Sequence, residues 1–353
     1  MQKFISATEV AEKWNLSIRR VQIFCNEGRI PGAYKQSGVW LIPANATKPE
    51  KIKSGVKTET PKKSIKVVSL FSGCGGMDLG FEGGFPVLKV SVNKNINKDW
   101  KVRSIDKNWV RLPRTRFQTV FANDIRPDAK TAWINYFGKR GTPDSSYYLD
   151  SIVDLVKLYK ENKVNVFPTG IDVVTGGFPC QDFSVAGKRQ GFNSSKSHNG
   201  KEITDEPSVE SRGQLYMWMR EVISIVKPKV FVAENVKGLT NLADVKEIIE
   251  HDFSTVCDGG YIVIPARVLL AAEYGVPQSR ERVIFLGFRK SALTDEALTA
   301  LSQKVIPAEY DPYPVKTHSN QPSGELLPFV TTKQCFWGLQ EPEVTSDVSQ
   351  KKY

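Results

Sequence analysis

Val67-Val68-Ser69-Leu70-Phe71-Ser72-Gly73-Cys74-Gly75-Gly76-Met77-Asp78-Leu79 is the stretch that decides the fold. An apolar run of strand length passes directly into a glycine turn. Glycine permits positive φ and lets a ligand approach the backbone closely. Downstream, apolar runs alternate with helical patterns. The spacing predicts strands at Lys66–Leu70, Thr119–Ala122, Ile171–Thr175, Val230–Ala233, Tyr261–Ala266 and Val283–Gly287. Helices are predicted over Arg126–Phe137, Leu149–Glu161, Leu215–Val226 and Val245–Asp252. That alternation implies an α/β fold built on a doubly wound, mostly parallel sheet. Such sheets bind ligands outside the carboxyl ends of their strands. The turn lacks the Gly-x-Gly-x-x-Gly spacing of dinucleotide sites, and no Gly-Lys-Ser/Thr follows it as in a kinase P-loop.

Three further motifs follow in order. Gly177-Phe178-Pro179-Cys180-Gln181 stands behind the apolar run Ile171-Asp172-Val173-Val174; Glu234-Asn235-Val236 and Gln278-Ser279-Arg280-Glu281-Arg282-Val283 come later. All four are expected at the ligand-binding ends of strands. Cys180 follows a rigid proline and heads a polar loop, the setting in which an exposed thiol ionises and becomes a nucleophile. The other cysteines lack that setting: Cys25 falls in a helical pattern, Cys74 in the glycine turn, and Cys257 and Cys335 in no motif. Arg280 and Arg282 alternate, so both should face one side of a strand, either as ligand contacts or as a plain salt-bridge pair. Asp124, at the end of the second predicted strand, stands where doubly wound folds hold ribose hydroxyls. Asp150 offers a second carboxylate. The plainer alternative for both acids is a solvated strand end or helix cap.

The order of these motifs resembles that of DNA cytosine-5 methyltransferases, over roughly residues 65–290. The resemblance implies a Rossmann-like fold that binds S-adenosyl-L-methionine. It implies that Phe71 stacks on the adenine, Asp124 holds the ribose and Asp150 the N6 amine, with Ser72, Gly73, Gly75, Gly76, Ile125, Pro179 and Leu215 completing the cofactor pocket. Cys180 would attack C6 of cytosine, and Glu234 would serve the ring at N3. Asn235 would fix the loop. Of Arg280 and Arg282, one would hold a phosphate or cytosine O2 and the other would orient Glu234. Ser184 and Lys188 would touch the DNA backbone. A cytosine inside a duplex cannot reach such a thiol, so base flipping is implied. No metal is expected: His198, His251 and His318 lie outside the motifs, and no two of the 5 cysteines have metal-ligand spacing.

Outside that core, residues 1–46 read as a small separate module. Ser6 and Glu9 form a capping-box pattern before a helix carrying Val10, Ala11 and Trp14 on one face. A second helix is expected over Ile18–Glu27, ended by Gly28, with Val21 and Phe24 inward. Arg29–Ala33 and Val39–Pro43 read as a two-strand wing. The module resembles the winged helix-turn-helix of excisionase-like and MerR-like regulators, which would put Arg19 and Arg20 on a DNA-facing helix; a protein-docking role is the alternative. Residues 47–64, with 6 lysines and 2 prolines, are expected to be a flexible basic linker. Residues 87–118 interrupt the α/β pattern as a basic hairpin insertion holding 9 Lys/Arg against 2 Asp, and residues 1–64 hold 12 Lys/Arg against 5 Glu. The formal net charge is +11, so the rest of the chain is slightly acidic. Two basic patches on such a body point to a polyanion, with double-stranded DNA as the expected partner.

No apolar stretch is long enough to span a bilayer, and the expected compartment is a prokaryotic or phage-infected cytoplasm, in restriction–modification. Residues 291–353 read as an incomplete start of a target-recognition region, with a threonine-led helix near Thr331-Thr332. The family's later motifs are not found there. Two accounts follow: a large subunit that works with a second polypeptide, or a truncated, inactive methyltransferase that acts only by binding DNA. A transfer-RNA cytosine methyltransferase would share the motif order.

Overall fold

The computed structural model describes residues 4–26, 30, 33–36, 39–49, 64–162, 164–179, 215–241 and 244–336. The chain divides into two compact units, Met1–Lys62 and Lys63–Tyr353.

In the first unit, β1 (Phe4–Ser6), α1 (Ala7–Trp14), α2 (Ile18–Asn26), β2 (Tyr34–Gln36) and β3 (Val39–Pro43) follow one another. The strands form an antiparallel sheet ordered β1-β3-β2. Ser6 Oγ accepts the Glu9 N–H, and Glu9 Oε2 accepts the Ser6 N–H, so two orphan donors at the start of α1 are satisfied. Asn15 closes that helix in the left-handed conformation. Val10, Ala11, Trp14, Val21, Phe24 and Ile42 are buried together. Tyr34–Gln36 pairs with Val39–Leu41; of the expected first wing strand, Arg29, Pro31 and Gly32 lie outside the described residues. Gly28 and most of the linker lie outside the described residues.

The second unit is built on seven strands: β4 (Ile65–Leu70), β8 (Phe117–Asn123), β9 (Tyr147–Tyr148), β10 (Val173–Gly177), β11 (Val230–Val236), β12 (Tyr261–Leu270) and β13 (Glu281–Arg289). Their order is β12-β13-β11-β10-β4-β8-β9, and β13 alone runs antiparallel to both of its neighbours. Between them run α3 (Gly76–Glu82), α4 (Pro127–Phe137), α5 (Ile152–Asn162), α6 (Leu215–Val226) and α7 (Val245–Ser254), with α8 (Asp295–Leu301) after the sheet. Alternate residues of each strand face opposite layers, as a pleated strand requires. Val68, Leu70, Phe121, Val174, Phe231 and Phe285 pack with Val153, Met219, Ile223 and Phe253 of α5, α6 and α7. On the other face Ala122 packs with Trp133 and Phe137 of α4, and Ile264 and Leu286 with Leu301 and Tyr313. The sheet is thus covered on both sides, which is the doubly wound arrangement the alternation implied.

The insertion is three-stranded, not a simple hairpin. β5 (Pro86–Leu88), β6 (Arg103–Ser104) and β7 (Trp109–Arg111) pair antiparallel in the order β5-β7-β6. Asp106 Oδ1 accepts the N–H groups of Asn108 and Trp109 and shapes the turn into β7. After α8 come β14 (His318–Ser319), β15 (Leu327–Pro328) and α9 (Thr332–Cys335), whose Thr331 and Gln334 form a second capping box. No helix among the described residues is long and apolar enough to cross a membrane.

Candidate active site

The glycine turn leaves β4 through Phe71, which holds a left-handed backbone (φ 52°) without being glycine. A bulky residue there is strained, and such strain gathers at ligand sites. Ser72 is turned inward: its hydroxyl donates to Ser69 and accepts the Asn123 N–H, tying the turn to the neighbouring strand β8. Asp124 closes the other side. Its carboxylate accepts the N–H of Gly73 at 2.9 Å and of Arg126 at 3.1 Å, so it is held at a fixed place beside the turn. Gly75 (φ 88°) opens α3, and a Cβ there would sit 2.5 Å from Phe137 and 2.6 Å from Trp133. Gly76 begins the helix proper.

Under this turn Asp78 is fully buried and accepts the Trp133 indole N–H at 2.7 Å. Burial pushes its carboxyl up to about 6, against the opposing pull of the Trp133 hydrogen bond and the nearby Ser69 hydroxyl, and Glu82 adds to the rise. The Tyr147 hydroxyl donates to Gly73 O at 3.0 Å.

Phe71, Asp124, Ile125, Pro179 and Leu215 line one cavity of about 250 Å³. Asn123, Arg126, Ser151, Ile152 and Gly177 line it too and were not singled out in the sequence. Their signal was weak: each only neighbours a motif residue. Asp150 is exposed and is not among the lining residues; its carbonyl accepts the Asn123 side-chain amide at 2.8 Å. Gly73, Gly75, Gly76 and Ser72 shape the turn rather than the wall.

The second cluster lies on the adjoining strands. Glu234 stands in β11 paired with Gly177, the last residue of β10, and a Cβ on Gly177 would lie 3.1 Å from its Oε2. Gly177 precedes Cys180 by three positions, so the carboxylate lies over the strand end that leads to the thiol. Arg282 Nε is 2.9 Å from Glu234 Oε1, and an Arg280 guanidinium nitrogen is 3.5 Å away. Arg282 also donates to the Glu281 carbonyl at 2.8 Å. Arg280 precedes β13 rather than standing on it, yet both arginines reach the same acid. They do so because β13 runs antiparallel: its first turn of chain meets the carboxyl end of β11, with Arg282 opposite Val236. Asn235 is buried, donates to the Phe178 carbonyl at 3.3 Å and accepts the Val236 N–H at 2.8 Å, which fastens the chain just before Pro179. Cys180, Ser184 and Lys188 lie outside the described residues. So does the side chain of Arg19; Arg20 is exposed, with its guanidinium 4.9 Å from the Phe24 ring centre.

A cavity walled by an aromatic ring and aliphatic chains, with one carboxylate fixed by backbone donors, suits a purine nucleoside whose hydroxyls bond to that acid. Sheet order and site together define a doubly wound α/β fold with a ligand cavity at the carboxyl ends of its strands. Comparison with known proteins narrows that class. The C-5 cytosine-specific DNA methylase family matches residues 65–334, and the chain belongs to it. Members of this family use S-adenosylmethionine as methyl donor.

Among its relatives, the Type II methyltransferase M.BspRI of Lysinibacillus sphaericus is 33% identical over 277 residues, 78% of this chain and 52% of that protein. M.NgoFVII of Neisseria gonorrhoeae is 30% identical over 276 residues, 78% of this chain and 54% of that one. M.BsuRI of Bacillus subtilis is 31% identical over 242 residues, 66% of this chain and 45% of that one. The chain therefore spans about half the length of these relatives. The family match runs past 290 to 334, through the segment in which Leu301 and Tyr313 join the core.

Proposed function

We propose that this chain transfers the methyl group of S-adenosylmethionine to C5 of a cytosine flipped out of duplex DNA, in a restriction–modification setting. The supporting observation is that the carboxyl ends of neighbouring strands carry both the Phe71–Asp124 cavity, which Pro179 lines, and the Glu234–Arg282 pair. The Cys180 thiolate adds to C6, which breaks the ring's aromaticity and raises electron density at C5. The bound donor supplies an electrophilic methyl group on sulfur. Once C5 is methylated, a base removes the C5 proton, the C5–C6 double bond re-forms and Cys180 leaves as thiolate. Glu234 faces N3 of the ring and carries or shares the proton that activation needs. Arg282 and Asn235 position it: the first by its direct ion pair, the second by anchoring Phe178. Arg280, further from the acid, is left to meet the substrate. Asp124 binds the ribose and Phe71 the adenine, while Ser184 and Lys188 meet the DNA backbone. Asp150, exposed beside the cavity, binds the adenine amine.

For the first unit, the strand–helix–helix–strand–strand order supports a winged helix-turn-helix role, with Arg19 and Arg20 toward DNA. The test is transfer from a radiolabelled donor to duplex DNA and, separately, to transfer RNA, by the chain alone and with a second polypeptide carrying the remainder of a relative's length. Labelled DNA, trapping on 5-fluorocytosine DNA and loss of both with Cys180→Ser support the reading. Labelling of transfer RNA alone, or DNA labelling that survives Cys180→Ser, would overturn it.

A further inference from the structure

The insertion contains a second depression, of about 530 Å³, that the proposed chemistry does not use. Lys89, Lys107, Asn108 and Trp109 form one wall; Lys333 and Gln334 of α9 form the other. Three lysines thus converge from segments far apart in the chain. Asp106 Oδ1 accepts the N–H groups of Asn108 and Trp109 and so fixes the turn that carries this wall. Among the described residues no carboxylate pairs with Lys89 or Lys333. Trp109 is half-buried, so its ring is held, and exposed Val90 and Ile105 adjoin it. Lysines serving only solubility would be scattered and would not frame an aromatic face.

The depression is also rigidly seated. Buried His318 Nε2 lies 2.9 Å from Val90 O, and buried Asn93 donates to Thr317 O at 2.9 Å and Glu325 O at 2.6 Å. Gly275 (φ 80°) lets Ser91 and His318 pack against the turn that leads to Arg280; a Cβ there would meet Ser91 O at 2.5 Å. The insertion is therefore mounted on the chain that supplies the arginines of the site.

We propose that this groove is a second DNA contact, in which Lys89, Lys107 and Lys333 take backbone phosphates of the duplex and Trp109 lies against the sugar–phosphate edge. It rests on the methyltransferase reading above. Phosphate contacts fix register on the duplex without reading sequence, and each releases counterions on binding. The test is fluorescence anisotropy of a labelled mixed-sequence duplex with the full chain, titrated with salt. Lys89→Ala/Lys107→Ala/Lys333→Ala is expected to flatten the plot of log affinity against log salt by about 2 to 3, close to 0.9 per lost phosphate contact. A control variant, Lys139→Ala/Lys290→Ala/Lys304→Ala, is expected to keep the wild-type slope, and donor binding should be unchanged in both. If the alanine set melts early, the three Lys→Gln changes replace it. An unchanged slope in the groove variant, or an equal loss in the control, overturns the groove while leaving the methyltransferase reading intact. A wild type without salt-dependent duplex binding overturns both. A groove-dependent slope with transfer RNA but not duplex overturns the assignment to DNA.

Discussion

Replacing Asp78 with asparagine should make the protein more stable at neutral pH and leave it nearly unchanged in acid. Asp78 is fully buried on α3, and its carboxylate takes the Trp133 indole proton. Burial raises its pKa from 3.8 to about 6. Between those values the folded chain holds a proton that the unfolded chain has released, so stability falls as pH rises across the window and stays lowered above it. At about 1.4 kcal/mol per unit, a rise of roughly two units amounts to about 3 kcal/mol above pH 6. Asparagine has nearly the same shape, keeps an acceptor for Trp133 and never ionises. The Asp78→Asn minus wild-type difference should therefore be near zero around pH 4 and grow to about 2 to 3 kcal/mol in favour of the variant by about pH 7. Urea unfolding of both proteins at steps between about pH 4 and pH 8 measures it, with other titrations cancelling in the difference. A difference flat in pH, or one that favours wild type as pH rises, would refute the argument.

Gly75→Ala combines a left-handed backbone with a Cβ 2.5 Å from the buried Phe137 ring, and is expected to cost about 2 to 4 kcal/mol in urea unfolding. An unchanged unfolding midpoint would contradict the packing described. Asn235→Ala removes a buried amide and leaves the Val236 N–H and Phe178 carbonyl without it, a loss of about 1 to 3 kcal/mol readable by thermal melting. Glu234→Gln should lower the rate of methyl transfer about 100-fold or more while duplex affinity stays within a few-fold; equal losses in both would assign Glu234 to binding instead.

Much of the second unit was legible because its signals are local. The hydrophobic runs marked six strands of the sheet to within a few residues, and the end of α6 falls at Val226 as the pattern predicts. β9 was missed because two tyrosines, Tyr147 and Tyr148, carry no period; their strand exists only through pairing with Ala122 and Asn123. Glu234, Arg280 and Arg282 were found from motif order, but the antiparallel entry of β13 that joins them is a matter of topology. Asp150 stood at the expected sequence position, yet its backbone, not its side chain, is what Asn123 holds. The link from Val90 to His318 spans 228 residues and leaves no trace in either local sequence.

The reversed direction of β13 gives the site a particular vulnerability. Its register against β11 is set by seven consecutive pairings, from Val230–Phe288 to Val236–Arg282. Sheet side chains alternate, so gaining one residue between Arg282 and Val283 would swing the Arg282 guanidinium to the opposite layer while Val283–Phe288 kept their pairing and their aliphatic packing. Such a frame slip could leave a well-folded protein with no cation at its acid, and among small length changes in this segment only those that preserve parity should survive selection for activity.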